Sequence, residues 1–390
     1  MHSIIQRALT VISLMAILFS MVAQARSWKE IEKSAQQHTV HMYLWSGSAG
    51  AKNYLEWAIP TLKQRYQITL EPHYVTTLDQ VIDLVKHNKN LAKSARTPID
   101  LVWLSGRYFH QLKSHALLYG PFTEDLPNWS YINPNLPFDT DGSENTLGLE
   151  APWGVAQLSF IYNQNQLYNP PENYRQLLSY AKAFPGRVTY PKPPYFMGSL
   201  MLQSILIELT GYAPELREPV SSNTFAKVTQ PLWDYLDELH HYAWAQGRKF
   251  PTDISQLHAL FNKEEIDLIP TYGANMLYSA QEKGQLPFSA RGYGMKTGSL
   301  TNMHFLAIPQ QSTNTAGALV AINFLLSPEA QSRKGLVSVW GDPPVIRSEF
   351  LTGAIKNMPV YNAVHMPDPT WDQALSKAWM KRYNKTLLDE

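Results

Sequence analysis

The chain of 390 residues contains no cysteine. Disulfide bonds, thiolate metal sites and cysteine nucleophiles are therefore excluded. We also expect no lipid on a mature amino terminus, because that attachment requires a cysteine at the cleavage point. The fold must be held by its hydrophobic core alone.

Long apolar runs are equally scarce, and the sequence has a single candidate, near its start. Arg7 is the only charged side chain in residues 1–25, an apolar stretch covers 8–19, and Ala23-Gln24-Ala25 follows. This order is typical of a secretory signal peptide and predicts a mature chain that begins near Arg26. The stretch is shorter than the about 20 apolar residues of a membrane span, although an uncleaved anchor is the alternative. We expect a periplasmic protein without a membrane anchor.

An excess of charge of either sign is also missing, since 33 basic residues face 32 acidic ones. A nucleic-acid partner would need a basic patch and a high isoelectric point, so none is expected. The chain exceeds the about 250–300 residues that one core can serve, which predicts two domains.

Common catalytic and metal-binding motifs are missing as well, including G-x-S-x-G, H-E-x-x-H, the P-loop and G-x-G-x-x-G. The acidic stretch 139–144 hints at calcium, but its ligand series is too short for an EF-hand loop. His240 and His241 are consecutive on a predicted helix and do not face one another. We therefore expect no catalytic residues, no metal and no cofactor.

What is present is an alternation of short apolar runs with amphipathic stretches, which favours an α/β fold. Predicted strands cover 40–45, 68–75, 99–104, 155–162, 188–195, 266–272 and 304–309. Predicted helices cover 54–66, 78–91, 173–183, 199–210, 232–245, 254–261, 316–326 and 371–383, and another begins after Ser327. Pro60 indicates either a kinked helix or two short ones. Residues 121–152 contain five prolines and read as irregular.

Polar turns follow several of these strands, and ligands of open α/β sheets bind beyond the carboxyl ends of strands. Trp45 precedes the turn Ser46-Gly47-Ser48, and Ser105-Gly106-Arg107 follows the third strand. A third small turn, Met197-Gly198-Ser199, opens a helix. Free backbone N–H groups at such helix starts can hold an anion or a polar group. An ordinary capped turn is the alternative at each place.

Four segments carry a resemblance to a known family: P-W-G-V-A-Q-L-S-F-I at 152–161, T-Y-P-K-P-P at 189–194, N-F-L-L-S-P-E-A-Q at 323–331 and W-G-D-P-P at 340–344. Together they resemble the periplasmic solute-binding proteins of bacterial ABC importers, extracellular solute-binding family 1, in an enterobacterial branch. More distant relatives bind thiamine, polyamines, ferric iron or maltodextrins. The resemblance covers essentially the whole chain after residue 25.

The resemblance implies a two-lobed periplasmic binding protein fold of type II, in which each lobe is a mixed sheet flanked by helices and a hinge joins them. On that template the first lobe comprises 38–152 and 270–334, and the second lobe comprises 153–269 and 335–390. The chain would cross near 152–157, 270–274 and 334–342. A ligand would sit between the lobes and draw them together, and the expected partners are a small solute and an inner-membrane ABC permease. The protein is expected to be a monomer.

The expected ligand-binding residues combine strand-end turns with aromatic side chains near the crossings. They are Trp45, Ser46, Gly47, Ser48, Ser105, Arg107, Trp153, Gln157, Tyr190, Gly198, Ser199, Tyr272, Asn275 and Asn302. Trp153 is the first choice as a stacking platform, with a place in the core as the alternative.

Aromatic faces such as these favour an organic ligand with a planar or cationic group. A simple oxyanion held by Arg107 and two helix starts is the nearer rival. Ferric iron is disfavoured, because iron-binding relatives use adjacent tyrosines and this chain has no Tyr-Tyr pair. Two other functions stay open: a secreted hydrolase with a non-standard site, and a carbohydrate binder that serves no transporter.

Overall fold

The computed structural model describes residues 27–142, 144–273 and 275–383. The predicted signal peptide at residues 1–25 and the predicted mature start at Arg26 lie outside the described residues. Within the described ranges, no helix is both long and apolar enough to cross a membrane.

The described chain is a mixture of helices and strands. The strands are β1 (Thr39–Trp45), β2 (Thr69–Val75), β3 (Leu101–Leu104), β4 (Thr140–Asp141), β5 (Glu144–Asn145), β6 (Glu150–Asn163), β7 (Leu268–Tyr272), β8 (Ala290–Tyr293), β9 (Ser299–Ala307) and β10 (Ala363–His365). The helices are α1 (Trp28–Ala35), α2 (Ala49–Tyr66), α3 (Asp79–Asn88), α4 (Arg107–Ser114), α5 (Tyr174–Ala183), α6 (Phe196–Thr210), α7 (Ser222–Tyr242), α8 (Ile254–Asn262), α9 (Asn275–Glu282), α10 (Thr315–Leu325), α11 (Pro328–Gly335) and α12 (Thr370–Tyr383).

Two long antiparallel strands, β6 and β9, connect the two halves of one mixed sheet with the order β2-β1-β3-β9-β6-β7. In β6, residues 150–157 pair with β9, and residues 158–163 pair with β7 and β8. In β9, residues 305–307 pair with β3, whereas residues 299–301 pair with β10. Each of these two strands therefore changes partners along its length, and both strands belong to both halves of the sheet.

Four buried clusters show that the molecule has two lobes. In the first lobe, α1, α2, α10 and α11 cover one face of the sheet, and α3 and α4 cover the other. In the second lobe, α5, α6, α7 and α12 cover one face of β6 and β7, and α8 and α9 cover the opposite face. A sheet buried on both faces in each lobe is the arrangement expected for the type II binding protein fold.

Cluster membership differs from the expected lobe boundaries at two places. Leu277 and Ala290 pack with Ile161 in the second lobe, so the chain does not leave that lobe at residue 270. The apolar face of α9 is buried there, and the return to the first lobe is made by β9. Ile355 still packs in the first-lobe core, and Trp371 is the next core residue of the second lobe. The final crossing thus follows residue 355 rather than residue 335.

Most predicted elements are present, with three informative differences. The first β6 residues include Pro152 and extend the predicted strand back to Glu150, because β9 pairs with them. No strand forms at 188–195, where only Val188 makes a bridge and prolines remove backbone donors. Helices α2 and α7 continue through Pro60 and Pro231 respectively, so the first is one helix and the second begins ten residues before the predicted start.

Asp100 fixes the junction between β1, β3 and the start of α10. Its carboxylate is fully buried. One oxygen accepts a hydrogen bond from the His41 backbone N–H at 3.0 Å. The other accepts from the backbone N–H groups of Thr313 and Asn314, each at 2.9 Å, and from the Ser312 hydroxyl at 2.7 Å. The single Asp in an otherwise apolar predicted strand is therefore a structural anchor.

Replacing Asp100 with alanine should destabilise the protein by about 3–5 kcal/mol, because several buried donors would lose their partner at once. Urea unfolding followed by circular dichroism measures this. Asp83→Ala on the exposed face of α3 is the matched control and should change the free energy of unfolding by less than about 0.5 kcal/mol. Equal effects of the two substitutions would contradict the anchoring role.

Candidate ligand cleft

The turn after β1 presents an exposed tryptophan at the carboxyl end of the sheet. Trp45 is the last residue of β1 and its exposed fraction is 47%. Its indole lies over Gly47, where any side chain would overlap the ring. Ser48 caps α2 by accepting a hydrogen bond from the Ala51 N–H at 3.1 Å. The Ser46–Ser48 turn therefore holds an aromatic face towards solvent beside a helix amino terminus.

A cluster of tryptophans lies next to this helix start, where Trp340 packs directly over Gly50. The Trp340 ring centroid lies 5.0 Å from that of Trp153 and 5.7 Å from that of Trp103. Trp153 is fully buried, whereas Trp340 is partly exposed. Trp153 thus belongs to the first-lobe core, and Trp340 is the member of the cluster with a face available to a ligand.

Beneath Trp340, a chain of polar contacts crosses β3 and β9. The Trp103 indole N–H donates to His304 Nδ1 at 2.8 Å, and His304 Nε2 lies 3.1 Å from both carboxylate oxygens of Asp342. Lys334, which is fully buried, donates to the Asp342 carboxylate and to the Pro343 carbonyl at 2.8 Å. The W-G-D-P-P loop is therefore pinned to the strands that join the lobes.

Burial and the attraction between opposite charges shift the pKa values of Lys334 and Asp342 in opposite directions. Burial lowers the pKa of Lys334, and the adjacent Asp342 carboxylate opposes that shift. For Asp342 itself, burial acts upward, but the charges of Lys334 and His304 outweigh it and hold the pKa below its usual value. Gly154 lies against His304 and Asp342, and a side chain at that position would overlap both. The glycine of P-W-G is therefore required by the close approach of this pair.

The second lobe meets the Trp340 loop through Asn275, the first residue of α9. The amide nitrogen of Asn275 lies 2.8 Å from the position that a Cβ atom would occupy on Gly341. Gly341 has a φ of +76°, which favours glycine as well. Gly273, just before α9, donates its N–H to the Gln157 carbonyl of β6 at 2.9 Å. The predicted residue Asn275 thus reaches across from one lobe to the other.

Tyr272 and Asn302 continue this surface on the second-lobe side. Burial raises the pKa of Tyr272, and the Asn302 amide beside it partly offsets the shift. Asn302 is exposed on β9. The Tyr272 ring meets Phe196 edge to face at 5.0 Å, and Phe196 is 52% exposed. We call the surface formed by Trp45, Trp340, Asn275, Asn302, Tyr272 and Phe196 the Trp340 cleft.

Three predicted site residues are instead part of the second-lobe core. Tyr190 is buried, with its hydroxyl 2.7 Å from His240 Nε2 and 2.8 Å from the Trp379 indole nitrogen. Ser199 is buried and its hydroxyl contacts that of Ser376 at 2.8 Å. Gly198 packs against the backbone of 191–193, which leaves no room for a side chain. The turn before α6 therefore serves packing, although its sequence resembles an anion-binding helix start.

Gln157 was also predicted to contact ligand. Its side-chain amide instead forms hydrogen bonds with β9 and with the segment before β10. Its nitrogen donates to the Thr301 hydroxyl at 2.9 Å and to the Tyr361 carbonyl at 3.0 Å. Its oxygen accepts from the Tyr361 N–H at 2.9 Å. This side chain ties β6, β9 and the segment before β10 together at the crossing between the lobes.

Ser105 and Arg107 lead to a second opening between the lobes, which we call the polar cavity. It has a volume of about 500 Å³. Its lining residues are Gly106, Arg107, His110, Asp141, Gly142 and Glu144 from one part of the chain and Arg217, Glu218, Pro219, Asp368, Pro369 and Thr370 from others. Arg107 is exposed and pairs with Asp79 at 3.0 Å. The Asp141 carboxylate accepts from the Gly106 N–H at 2.5 Å. Arg107 therefore lines a polar opening that is separate from the aromatic contacts of the Trp340 cleft, and Ser105 lies just before the lining residue Gly106.

Two buried carboxyl groups lie behind the polar cavity. Burial raises the pKa of Asp141 from its ordinary value of 3.8 to about 7, and the Gly106 N–H partly opposes this. Burial, reinforced by the charge of Asp141, raises the pKa of Glu150 well above its usual range. Among the described residues, neither Glu150 oxygen has a hydrogen-bond partner. Asp141 is therefore partly protonated near neutral pH, and Glu150 keeps its proton to a higher pH than an ordinary glutamate.

Sequence reasoning missed Trp340, His304, Asp342 and Phe196 as site residues. The W-G-D-P-P segment was available as a signal, since it already stood out as a distinctive motif. Nothing in the order of residues indicated that this loop returns to lie over β3, β6 and β9. That proximity arises from α11, which delivers the loop to the junction between the lobes.

Trp153→Ala should destabilise the protein by about 3–5 kcal/mol, because it removes a fully buried ring from the first-lobe core. Trp153→Phe is the matched control and should cost much less, since most of the apolar volume remains. Urea unfolding at constant pH measures both. Unchanged stability of the alanine variant, together with weaker ligand binding, would restore the predicted stacking role.

Asp141 makes a testable contribution to the pH dependence of stability. In the unfolded chain its carboxyl ionises near pH 3.8, but in the folded protein only near pH 7. Stability should therefore fall as the pH rises from about 4 to 7. Asp141→Asn should lack this fall and be more stable than the wild type above pH 8, by up to about 4 kcal/mol.

Glu150 remains in both proteins, but the charge of Asp141 raises its pKa, so the difference between their unfolding curves reports Asp141 together with its effect on Glu150. The exposed Asp139→Asn variant is the control and should follow the wild type at every pH. Parallel curves for the wild type and Asp141→Asn would refute the raised pKa.

Comparison with known proteins finds similarity in sequence and in fold to bacterial solute-binding proteins. A sequence profile described as bacterial extracellular solute-binding protein matches residues 26–363. The protein YnjB of Escherichia coli K12 is 38% identical over 376 residues, which cover 94% of this chain and 96% of YnjB.

Solved structures agree with this at the level of the fold. The bacterial solute receptor AcbH, whose structure reports a preference for β-D-galactopyranose, has a TM-score of 0.69 with 11% identity, over 93% of this chain and 95% of its own. The spermidine/putrescine substrate-binding protein PotD of Streptococcus pneumoniae has a TM-score of 0.63 with 13% identity, over 90% and 99% of the two chains. Identities this low compare folds and carry no ligand from one protein to another.

Proposed function

Because the chain belongs to the bacterial extracellular solute-binding proteins of ABC importers, we propose that it captures a small organic solute in the periplasm and delivers it to an inner-membrane permease. In this proposal it acts as a monomer and performs no chemistry on the solute. The binding surface is the Trp340 cleft.

The observation that supports the proposal is the contact between the lobes at Gly341, next to Trp340, and Asn275. The first lobe supplies the Trp340-Gly341 loop, the second supplies Asn275 with Tyr272 and Phe196, and Asn302 lies on the strand that they share. A solute between these groups would gain contacts with both lobes only when they approach one another. Binding would thus favour the closed form, and closure should lower the radius of gyration in solution scattering.

Aromatic faces in the cleft support an organic ligand with a planar or cationic group. Trp45 and Phe196 are about half exposed, and each can stack on a ring or attract a cation. The polar cavity is the alternative place for a solute, because its volume of about 500 Å³ is within the range of ligand sites. Arg107 and Arg217 line that cavity together with Asp141, Glu144, Glu218 and Asp368, so its charges do not favour an anion over a cation.

The hydrolase alternative is weakened by the surroundings of His304. A Ser-His-Asp site needs one imidazole nitrogen free to take a proton from a serine hydroxyl. Here His304 Nε2 faces Asp342, and Nδ1 accepts from the Trp103 indole. This histidine therefore has no nitrogen left for a nucleophile. A carbohydrate binder without a transporter would share the cleft and differ only in lacking a permease partner.

Trp45→Ala and Asn275→Ala, one from each lobe, should each weaken solute binding by about tenfold or more, which corresponds to about 1.4 kcal/mol. The solute is first identified by native mass spectrometry of protein purified under gentle conditions. It is then titrated while tryptophan fluorescence is followed. Trp244→Ala, a partly exposed tryptophan in the second lobe outside the cleft, is the matched control and should leave affinity unchanged.

A panel of spermidine, putrescine, thiamine, D-galactose, sulfate and ferric citrate tests the class of ligand. Tight binding of sulfate or iron without any organic ligand would overturn the organic assignment. Loss of affinity in Arg107→Ala, with no loss in Trp45→Ala, would move the site to the polar cavity.

A further inference from the structure

We propose that His41, Glu71 and His73 form a binding site for a divalent transition-metal ion, with Zn²⁺ as the representative ion, at the edge of the first-lobe sheet. Among the described residues these three side chains can bring one ligand atom each within 4.8 Å of one another. The proposal is independent of the solute and of the Trp340 cleft.

Strand pairing brings the three side chains to one face of the sheet. β1 and β2 are parallel, and their register places His41 opposite Glu71 and Tyr43 opposite His73. Residues two apart on a strand share a face, so Glu71 and His73 point to the same side as His41. β2 is the outer strand of the sheet, which leaves this group open to solvent on one side.

The three ligand atoms are spaced as a metal ion requires. His41 Nδ1 lies 3.0 Å from His73 Nε2, and Glu71 Oε1 lies 3.3 Å from His73 Nε2 and 3.9 Å from His41 Nδ1. A circle through three atoms at these distances has a radius of about 2.0 Å, and zinc bonds to nitrogen and oxygen measure about 2.0–2.2 Å. An ion close to the plane of the three atoms would therefore reach all of them without a change in the backbone.

A divalent metal ion can bind all three ligand atoms at once, whereas a shared proton cannot. A hydrogen between His41 Nδ1 and His73 Nε2, which lie 3.0 Å apart, joins only these two nitrogens and not Glu71 Oε1 as well. A divalent cation accepts all three lone pairs at once. Two imidazoles and one carboxylate form a donor set that suits Zn²⁺, Ni²⁺ or Cu²⁺ more than Ca²⁺ or Mg²⁺.

Neighbouring groups hold both imidazoles in position before any ion arrives. The Tyr43 ring stacks on the His73 ring with centroids 4.6 Å apart and planes 15° apart. The backbone N–H of His41 donates to the buried carboxylate of Asp100 at 3.0 Å. The side chains of His41 and His73 are 22% and 32% exposed, whereas that of Glu71 is 52% exposed. The fourth coordination position would thus face solvent on the Glu71 side.

The site is remote from the proposed solute cleft. His41 precedes Trp45 by four residues, which is about 13 Å along an extended strand. The ion would join the outer strand β2 to β1, and its main effect would be to stabilise this edge of the first lobe.

The test uses the whole purified protein without a histidine tag, stripped with a chelator and titrated with Zn²⁺ alone. We expect one Zn²⁺ per chain by elemental analysis and a higher melting temperature with Zn²⁺. His41→Gln and His73→Gln should each weaken Zn²⁺ binding by more than about tenfold and abolish the thermal shift. His110→Gln is the matched control, since this exposed histidine faces a single glutamate at 2.7 Å and has no second histidine.

The position of the ion is checked on the wild-type protein, so that the test does not depend on how the variants fold. Anomalous scattering from crystals soaked in Zn²⁺ should place a peak within about 2.3 Å of His41 Nδ1 and His73 Nε2. A peak elsewhere, folded protein that binds no Zn²⁺, or equal losses in His110→Gln and His41→Gln would overturn the proposal.

Discussion

The antiparallel pairing of β6 with β9 is the constraint on which the rest of the molecule depends. Both strands belong to both lobes. β9 pairs with β3 at one end and with β10 at the other, and β6 pairs with β9 along its first half and with β7 and β8 along its second half. The Gln157 amide locks this crossing by bonding to Thr301 on β9 and to the backbone at Tyr361. Any relative movement of the lobes must therefore be absorbed by twisting or bending of these strands.

A buried polar chain adds a second constraint at the same place. Lys334, Asp342, His304 and Trp103 connect the loop after α11 to β9 and β3. Opposite charges held out of water contribute little net stability, but breaking one partner leaves the other unpaired at a large cost. Such a chain fixes geometry more than it stabilises the fold. Its consequence is that Trp340 is held over the strands that join the lobes, and the neighbouring Gly341 lies against Asn275.

The other titratable side chains of the first lobe differ in how far their polar atoms are satisfied by partners within the fold. Asp100 is fully satisfied by backbone and hydroxyl donors, so it anchors a junction. Asp141 and Glu150 are buried with few partners and titrate abnormally as a result. His41, Glu71 and His73 are partly exposed and can bring one ligand atom each within 4.8 Å of one another, which is the arrangement that the proposed metal site requires.

The sequence by itself determined the class of the fold and the positions of most elements. Apolar runs such as 99–104 and periodic stretches such as 173–183 identify strands and helices because their local pattern matches the period of the structure. The F-L-L-S-P-E-A-Q segment and the W-G-D-P-P segment identified the family. Trp45 lies exposed at the end of β1 and Asn275 begins α9 shortly after β7, and their role in ligand binding stays a prediction. Local pattern suffices for these features, since each depends on neighbours along the chain.

Only the tertiary structure decided which residues meet across the lobes and which lie inside them. Tyr190 and Trp153 look like stacking groups in sequence, yet both are buried because α12 and the Trp340 loop cover them. The lobe boundaries moved because α9 buries its apolar face on the second lobe, a long-range contact that periodicity does not reveal. The same holds for His41, Glu71 and His73, which lie some 30 residues apart in the chain and become neighbours through the register of β1 and β2. Contacts between distant segments follow from strand register and helix packing, and these depend on the whole chain.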